Sequence, residues 1–163
     1  MQSLHFEGDR MTLPRIEQQT LSGGFSDIYH HSHVDSRYWL IPPEIYEPLD
    51  EEFKFTFDPC PFPFQKDGID IEWGQVNWVN PPFRKKDSIN GHGPTAFVRK
   101  AIEEQKKGKT SVLIMPVQSY VNMLLEAGAE LRPVGRVRWI DANSGRRDPS
   151  PSTNALFILR GEK

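Results

Sequence analysis

The sequence predicts an α/β fold in which helices cover a mainly parallel sheet, and three observations carry that expectation. Residues 111–117 (SVLIMPV) form a continuous apolar run bounded by turn signals, as in a strand buried on both faces. Before it, Ala96, Phe97, Lys100, Ala101 and Glu104 recur at i, i+3 and i+4, which is helical spacing. Along the chain such segments read strand, helix, buried strand, helix, strand, strand, the pattern of an α/β sandwich.

Taken in order, the first 30 residues are mixed and polar, with Gly23-Gly24 and no sustained period, so they read as an N-terminal arm before a single domain over 31–163. Ile45, Leu49 and Phe53 lie four apart, a short helical pattern that Pro48 is expected to interrupt. Residues 53–57 (FKFTF) alternate with period 2, predicting a strand that Asp58-Pro59 ends. Residues 74–80 (GQVNWVN) predict a second strand, stopped by Pro81-Pro82. The helix expected over 94–109 gathers Lys106, Lys107 and Lys109 near its C-terminus, where cations suit the helix dipole, and Gly108 is a natural stop. After the buried run, 119–129 (SYVNMLLEAGA) reads as a short helix, and 135–140 (GRVRWI) and 155–159 (ALFIL) as strands.

Composition narrows the class. With 163 residues, 37% hydrophobic and 26% charged, the chain has the size and balance of one globular domain. It has no run near the roughly 18 apolar residues of a membrane span, and its start, MQSLHFEGDR, lacks the basic and apolar regions of a signal peptide. The single cysteine, Cys60, has no second thiol for a disulfide or a CxxC site. A reducing, cytoplasmic setting is therefore expected. The net charge of −2 hides an asymmetry: residues 1–82 carry 5 Lys and Arg against 14 Asp and Glu, and residues 83–163 carry 15 against 8. The second half is the one expected to meet a polyanion, unless the two signs are simply two solvated surfaces.

The boundary between the halves is Asn80-Pro81-Pro82-Phe83. Two prolines straight after a β-run remove two backbone donors and end strand pairing. At the carboxyl edge of a parallel sheet such a loop offers carbonyls and the Asn amide oxygen to the crevice where ligands bind. A rigid set of acceptors suits an exocyclic amine, because hydrogen bonds from both N–H groups to Asn80 and the Pro81 carbonyl localise a lone pair otherwise delocalised into the ring. Phe83 adds a face for stacking a planar base. The plainer alternative is a strand-terminating turn.

The tetrad matches the [D/N]-P-P-[Y/F] motif of enzymes that methylate amino nitrogens, and its surroundings resemble the phage-type DNA N6-adenine methyltransferase (Dam) family. The residues carrying the resemblance are YWLIPPEIYEPLDEEFKFTFDPC, then DGIDIEW, then VNWVNPPF, followed by LIMP, VGRVRW and a proline-containing loop before ALFIL, in all about 37–160. The resemblance implies a reduced Rossmann-like, S-adenosylmethionine-dependent methyltransferase sheet with flanking helices, reduced because Asn80 follows Asp58 by only 22 positions. It implies methylation of adenine N6 in DNA after base flipping, with Asn80, Pro81, Pro82 and Phe83 as the catalytic tetrad. It further implies S-adenosyl-L-methionine held by Tyr38, Trp39 and Pro42, closing over the methionine end, by the loop Asp58-Pro59-Cys60, and by Asp67 near the adenosine. For a phage-derived chain the setting is the bacterial host cytoplasm. Two positions depart from the family: Ile41 replaces its usual Thr, and Val117-Gln118-Ser119-Tyr120 lacks its Asp-Thr.

The expected DNA contacts are Arg84, Lys85 and Lys86 after the tetrad, and Arg146 and Arg147 in the loop ANSGRRDPSPS, where cations among small polar residues can follow a phosphate backbone. Ordinary solvated charge is the alternative. Cys60 follows a proline and has no activating His close in sequence, so nucleophilic catalysis is not expected of it. His30, His31 and His33 suggest a metal, but amino methylation needs none, and no metal is expected. Two rival functions stay open: an amino-methyltransferase acting on RNA or protein glutamine, and a degenerate, non-catalytic nucleic-acid-binding module.

Overall fold

The computed structural model describes residues 39–62 and 66–162, without the side chain of Lys86. The expected arm, the cluster His30, His31 and His33, and Tyr38 lie outside the described residues. A short strand, β1 (Trp39–Leu40), leads into helix α1 (Pro43–Phe53), which Pro43 opens at a position where its missing N–H costs nothing. Contrary to expectation, α1 runs through Pro48. Ile45, Tyr46, Leu49 and Phe53 all join one apolar cluster with Phe55 and Trp78. Leu49 is buried and the other three are partly buried; with about 1.5–3 kcal/mol for a fully buried side chain and a fraction of that for each of the others, their sum offsets the roughly 3 kcal/mol cost of an internal proline.

The predicted strand over 53–57 is not formed. Phe53 ends α1, and Lys54 takes the left-handed conformation (φ 55°) with its N–H on the Asp50 carbonyl at 2.8 Å. Phe55 then turns inward, its N–H held by Asp50 Oδ1 at 3.1 Å. The segment touches the sheet through Thr56, whose N–H and hydroxyl bond the Val76 carbonyl, and through Phe57, an isolated parallel bridge to Asn77.

The main sheet contains β2 (Val76–Val79), β3 (Thr110–Pro116), β4 (Glu130–Gly135) and β7 (Asn154–Leu159) in the order β2-β3-β7-β4. Strands β2 and β3 are parallel, with helix α2 (Pro94–Lys106) as their crossover. Strand β7 is antiparallel to both neighbours, so the sheet is mixed rather than mainly parallel. Apolar patterning cannot distinguish these cases, because a strand buried on both faces reads alike in either direction. Strand β4 was not expected: it is a partly exposed edge strand containing Pro133, which is tolerated there. A second, antiparallel sheet joins β1 to β5 (Arg138–Asp141) and β6 (Arg147–Pro149) in the order β1-β5-β6, with β6 arising inside the expected recognition loop.

Alternation along the central strands makes two cores. Val79, Leu113, Met115, Phe157 and Leu159 face α2 and α3 (Val121–Glu126), packing with Phe97, Ala101 and Leu124. Trp78, Val112, Ile114, Leu156 and Ile158 face α1 and the small sheet, packing with Leu49, Val137 and Trp139. The sheet is thus covered on both sides, which is why its central strands are apolar without interruption.

Candidate functional site

The parallel bridge of Phe57 to β2, and of β2 to β3, brings three chain exits to one sheet edge: Asp58 after Phe57, Asn80 after β2, and Pro116 at the end of β3. A cavity of about 460 Å³ opens there, within the size range of small-ligand sites. Trp39, Asn80, Pro81, Pro82 and Phe83 line it together, so the whole tetrad stands at one cavity. Asn80 Nδ2 donates to the Trp39 carbonyl at 3.2 Å, which fixes the amide and leaves its oxygen as the acceptor end. Phe83 meets Trp139 edge to face, with ring centroids 5.5 Å apart and an interplanar angle of 69°.

Several lining residues were not anticipated. Trp139 comes from β5, Asp148 and Pro149 from β6, and Ser150 and Ser152 from the segment after it. Trp139 and Asp148 are cross-strand partners and so share a face of the small sheet. Trp139 was legible only as part of the strand 135–140, and Asp148 to Ser152 only as the recognition loop ANSGRRDPSPS, neither as a cavity wall. Gln118 lines the cavity too, in the stretch where the family pattern is lost. In that stretch Tyr120 is buried and its hydroxyl donates to the Pro116 carbonyl, so it holds the end of β3 in place.

The remaining cofactor candidates do not line this cavity. Pro42 is buried at the start of α1, where its carbonyl accepts from Ile45 and Tyr46 N–H. Asp58, Pro59, Cys60 and Asp67 belong to a neighbouring cluster at the same sheet edge. Asp58 Oδ1 accepts the Cys60 N–H at 2.7 Å, yet desolvation outweighs that bond and pushes the carboxyl up to about 7. Burial, then the charges of Asp58 and Asp67, push the Cys60 thiol well above its ordinary value, which opposes the thiolate that nucleophilic chemistry needs. Asp67 uses both carboxylate oxygens inside the protein: Oδ1 accepts Ile69 N–H at 3.0 Å, and Oδ2 lies 2.7 Å from His92 Nδ1.

The described arginines of the expected DNA surface all have carboxylate partners. Arg84 holds Asp87 through two bonds, at 2.7 and 3.1 Å, and both residues line the cavity. Arg146 Nη2 meets Asp148 Oδ2 at 2.7 Å, and Arg147 grips Glu44 of α1 with both terminal nitrogens. Lys85 is exposed beside Arg84. Among the described residues no helix is long and apolar enough to cross a membrane, and no three His, Cys, Asp or Glu side chains are grouped to hold a metal ion. Comparison with family models, with curated proteins and with solved structures yields no match.

Proposed function

We propose that the chain is an S-adenosylmethionine-dependent methyltransferase acting on the N6 amine of adenine in DNA, with the reduced Rossmann-like sheet that its sequence resemblance implies. The observation that carries this reading is the fixed amide of Asn80, beside Pro81 and Phe83, at the wall of an aromatic-lined cavity. Both N–H groups of an exocyclic amine would donate to Asn80 Oδ1 and the Pro81 carbonyl. Those bonds strengthen as the nitrogen becomes tetrahedral, so they favour the transition state over the ground state. Phe83 would stack the flipped base, its ring positioned by the T-shaped contact with Trp139. The cofactor supplies an electrophilic methyl group. The amine held by Asn80 and the Pro81 carbonyl would take that methyl group from the cofactor's sulfur and release its proton to solvent.

The chemistry of the neighbouring cluster fits such a cofactor. Asp58 is a carboxyl pushed up by burial, with one backbone N–H on its Oδ1, and a ligand bringing an ammonium or hydroxyl groups supplies the donors that stabilise its charged form. Asp58 and the adjoining Pro59 and Cys60 are accordingly the cofactor side of the site. Trp39 belongs to the tetrad side, through its carbonyl on Asn80 and its place in the cavity wall.

A second reading is favoured by one observation: the carboxylates on Arg84, Arg146 and Arg147 reduce the positive charge offered to a polyanion. The same acceptors would serve the amide of a protein glutamine. Incubation with cofactor tritiated in its methyl group, and with DNA, RNA and protein in separate reactions, decides. Label in DNA, digested to N6-methyladenine and absent with Asn80→Ala, is expected; label in protein alone selects the rival.

A further inference from the structure

The resemblance assigns Asp67 to the cofactor's adenosine, but its surroundings describe another task. Its side chain is only 2% exposed, and each oxygen already has a protein partner. A carboxylate only accepts, so the Nδ1–H of His92 donates to it. His92 belongs to the ten-residue loop 84–93, which leaves the tetrad at Phe83 and re-enters the fold at Gly93, the N-cap of α2. A second stitch joins the same two segments, where Asn90 Nδ2 donates to Asp70 Oδ2 at 3.1 Å.

The segment receiving these stitches is itself immobilised. Trp73 Nε1 donates to the Gly68 carbonyl at 2.7 Å, and the Asp70 N–H bonds the Asp67 carbonyl. Gly68 lies so close to the 58–60 loop that a Cβ there would fall 2.2 Å from the Pro59 oxygen. The loop's own ends also meet, since a Cβ on Gly93 would touch Lys85 Cγ at 3.1 Å. Between them, Asp87 and Ser88 N–H groups bond the Arg84 and Lys85 carbonyls. A compact loop closed at its base and tied at its far side is a device for presenting what it carries. What it carries includes the exposed Arg84 and Lys85, with Asp87 paired to Arg84.

We propose that Asp67 and His92 are positioning residues: together they clamp the loop 84–93 so that its basic residues meet a nucleic-acid backbone at the mouth of the tetrad cavity. The proposal rests on the DNA reading given above and assigns Asp67 to substrate binding instead of to the cofactor. It separates two properties that the adenosine role would change together. Loss of the clamp weakens phosphate binding and leaves the Asp58 side of the site intact.

The test uses the full chain, a fluorescent DNA duplex titrated at several salt concentrations, and calorimetry with S-adenosylhomocysteine. His92→Ala is expected to weaken DNA binding at least threefold on every sequence and to flatten the slope of log affinity against log salt by about 0.9 for each phosphate no longer neutralised. Its affinity for S-adenosylhomocysteine should stay within twofold of wild type. His92→Gln, which keeps a donor for Asp67, should restore much of the slope. Asn90→Ala, on the exposed outer stitch, should act in the same direction even if His92→Ala folds poorly. Wild-type DNA affinity and slope in both His92→Ala and Asn90→Ala overturn the clamp while leaving the methyltransferase reading standing. A loss of S-adenosylhomocysteine affinity as large as that of DNA overturns it in favour of the adenosine role. Wild-type protein that binds S-adenosylhomocysteine but no DNA overturns the DNA reading, and the clamp with it.

Discussion

The two ends of the Asn80 amide have different tasks, one tied to the Trp39 carbonyl and the other left to accept. On the proposed methyltransferase reading, Asn80→Ala would remove the acceptor that matters most as the amine becomes tetrahedral, so turnover should fall by about 10²-fold or more with S-adenosylhomocysteine affinity nearly unchanged. Single-turnover methylation and calorimetry check the two halves of that statement. Asp58 makes a pH prediction. Its carboxyl is pushed up to about 7 by burial, above the unfolded value of about 3.9, so the folded chain binds this proton more tightly than the unfolded one. The contribution to stability is therefore present at low pH and is lost as pH rises through about 7. Asp58→Asn should remove that part of the dependence, visible as a smaller drop in urea midpoint between pH 5 and pH 8; parallel curves would refute it. Ligand affinity should move the opposite way in the wild type, rising across pH 7 as the carboxylate forms.

At the scale of elements, the site depends on segments that are hardly regular at all. The turn 67–70 has no repeating structure, yet Gly68 fixes its distance from the 58–60 loop, because the Pro59 oxygen occupies the space of any side chain. Gly68→Ala must displace one of the two loops and should cost about 2 kcal/mol or more in chemical denaturation, although its neighbour Ile69 is only half-buried. A variant within about 0.5 kcal/mol of wild type, the size of a neutral surface change, would show that the loops part freely. The same dependence on context explains α1 and the strand that failed to form. Period-2 spacing in FKFTF was genuine, but Phe53 gains more by finishing the apolar stripe of α1, and the turn at Lys54 then delivers Phe55 against Tyr46 and Trp78.

Across the whole molecule, the edge opposite the cavity holds a buried charge cluster. Glu104 of α2 is fully buried, with Lys109 at 2.7 Å, Lys107 at 2.8 Å and Lys100 at 3.3 Å; Lys109 also donates to the Trp73 carbonyl at 2.7 Å. Burial alone would raise the Glu104 carboxyl, but hydrogen bonds from the three lysines outweigh it and hold the group down at about 2. The folded value lies below the unfolded one, so the stabilisation is complete above about pH 4.5 and is lost as pH falls towards 2. Glu104→Gln takes this carboxylate from Lys100 and Lys107 and leaves Lys109 with only the exposed Glu72 at 3.3 Å, and should cost about 3 kcal/mol at pH 7, with a shallower acid-unfolding limb than wild type. Equal stability of variant and wild type at pH 7 would mean that the lysines find water instead. The cluster joins α2, the start of β3 and the segment before β2, and so fixes the frame at whose other edge the tetrad stands.

The sequence alone determined those features that are written locally. The apolar run of β3, the spacing of α2 and the proline pair after β2 each follow from side-chain periodicity or backbone chemistry within a few residues, and each is present in the structure. The tetrad was legible for the same reason, as was the presence of an α/β fold. Tertiary structure decided what depends on partners distant in sequence. The direction of β7, the pairing of Trp39 with Asp141, and the cavity wall made by Trp139 and Asp148 arise from strands that meet only after folding. His92 was invisible because its meaning lies in Asp67, 25 positions away, and a lone histidine between two glycines has no period to betray it. Local propensities fix which segments form. The shared burial of their faces, summed over the whole chain, fixes which of their residues stand together at one edge.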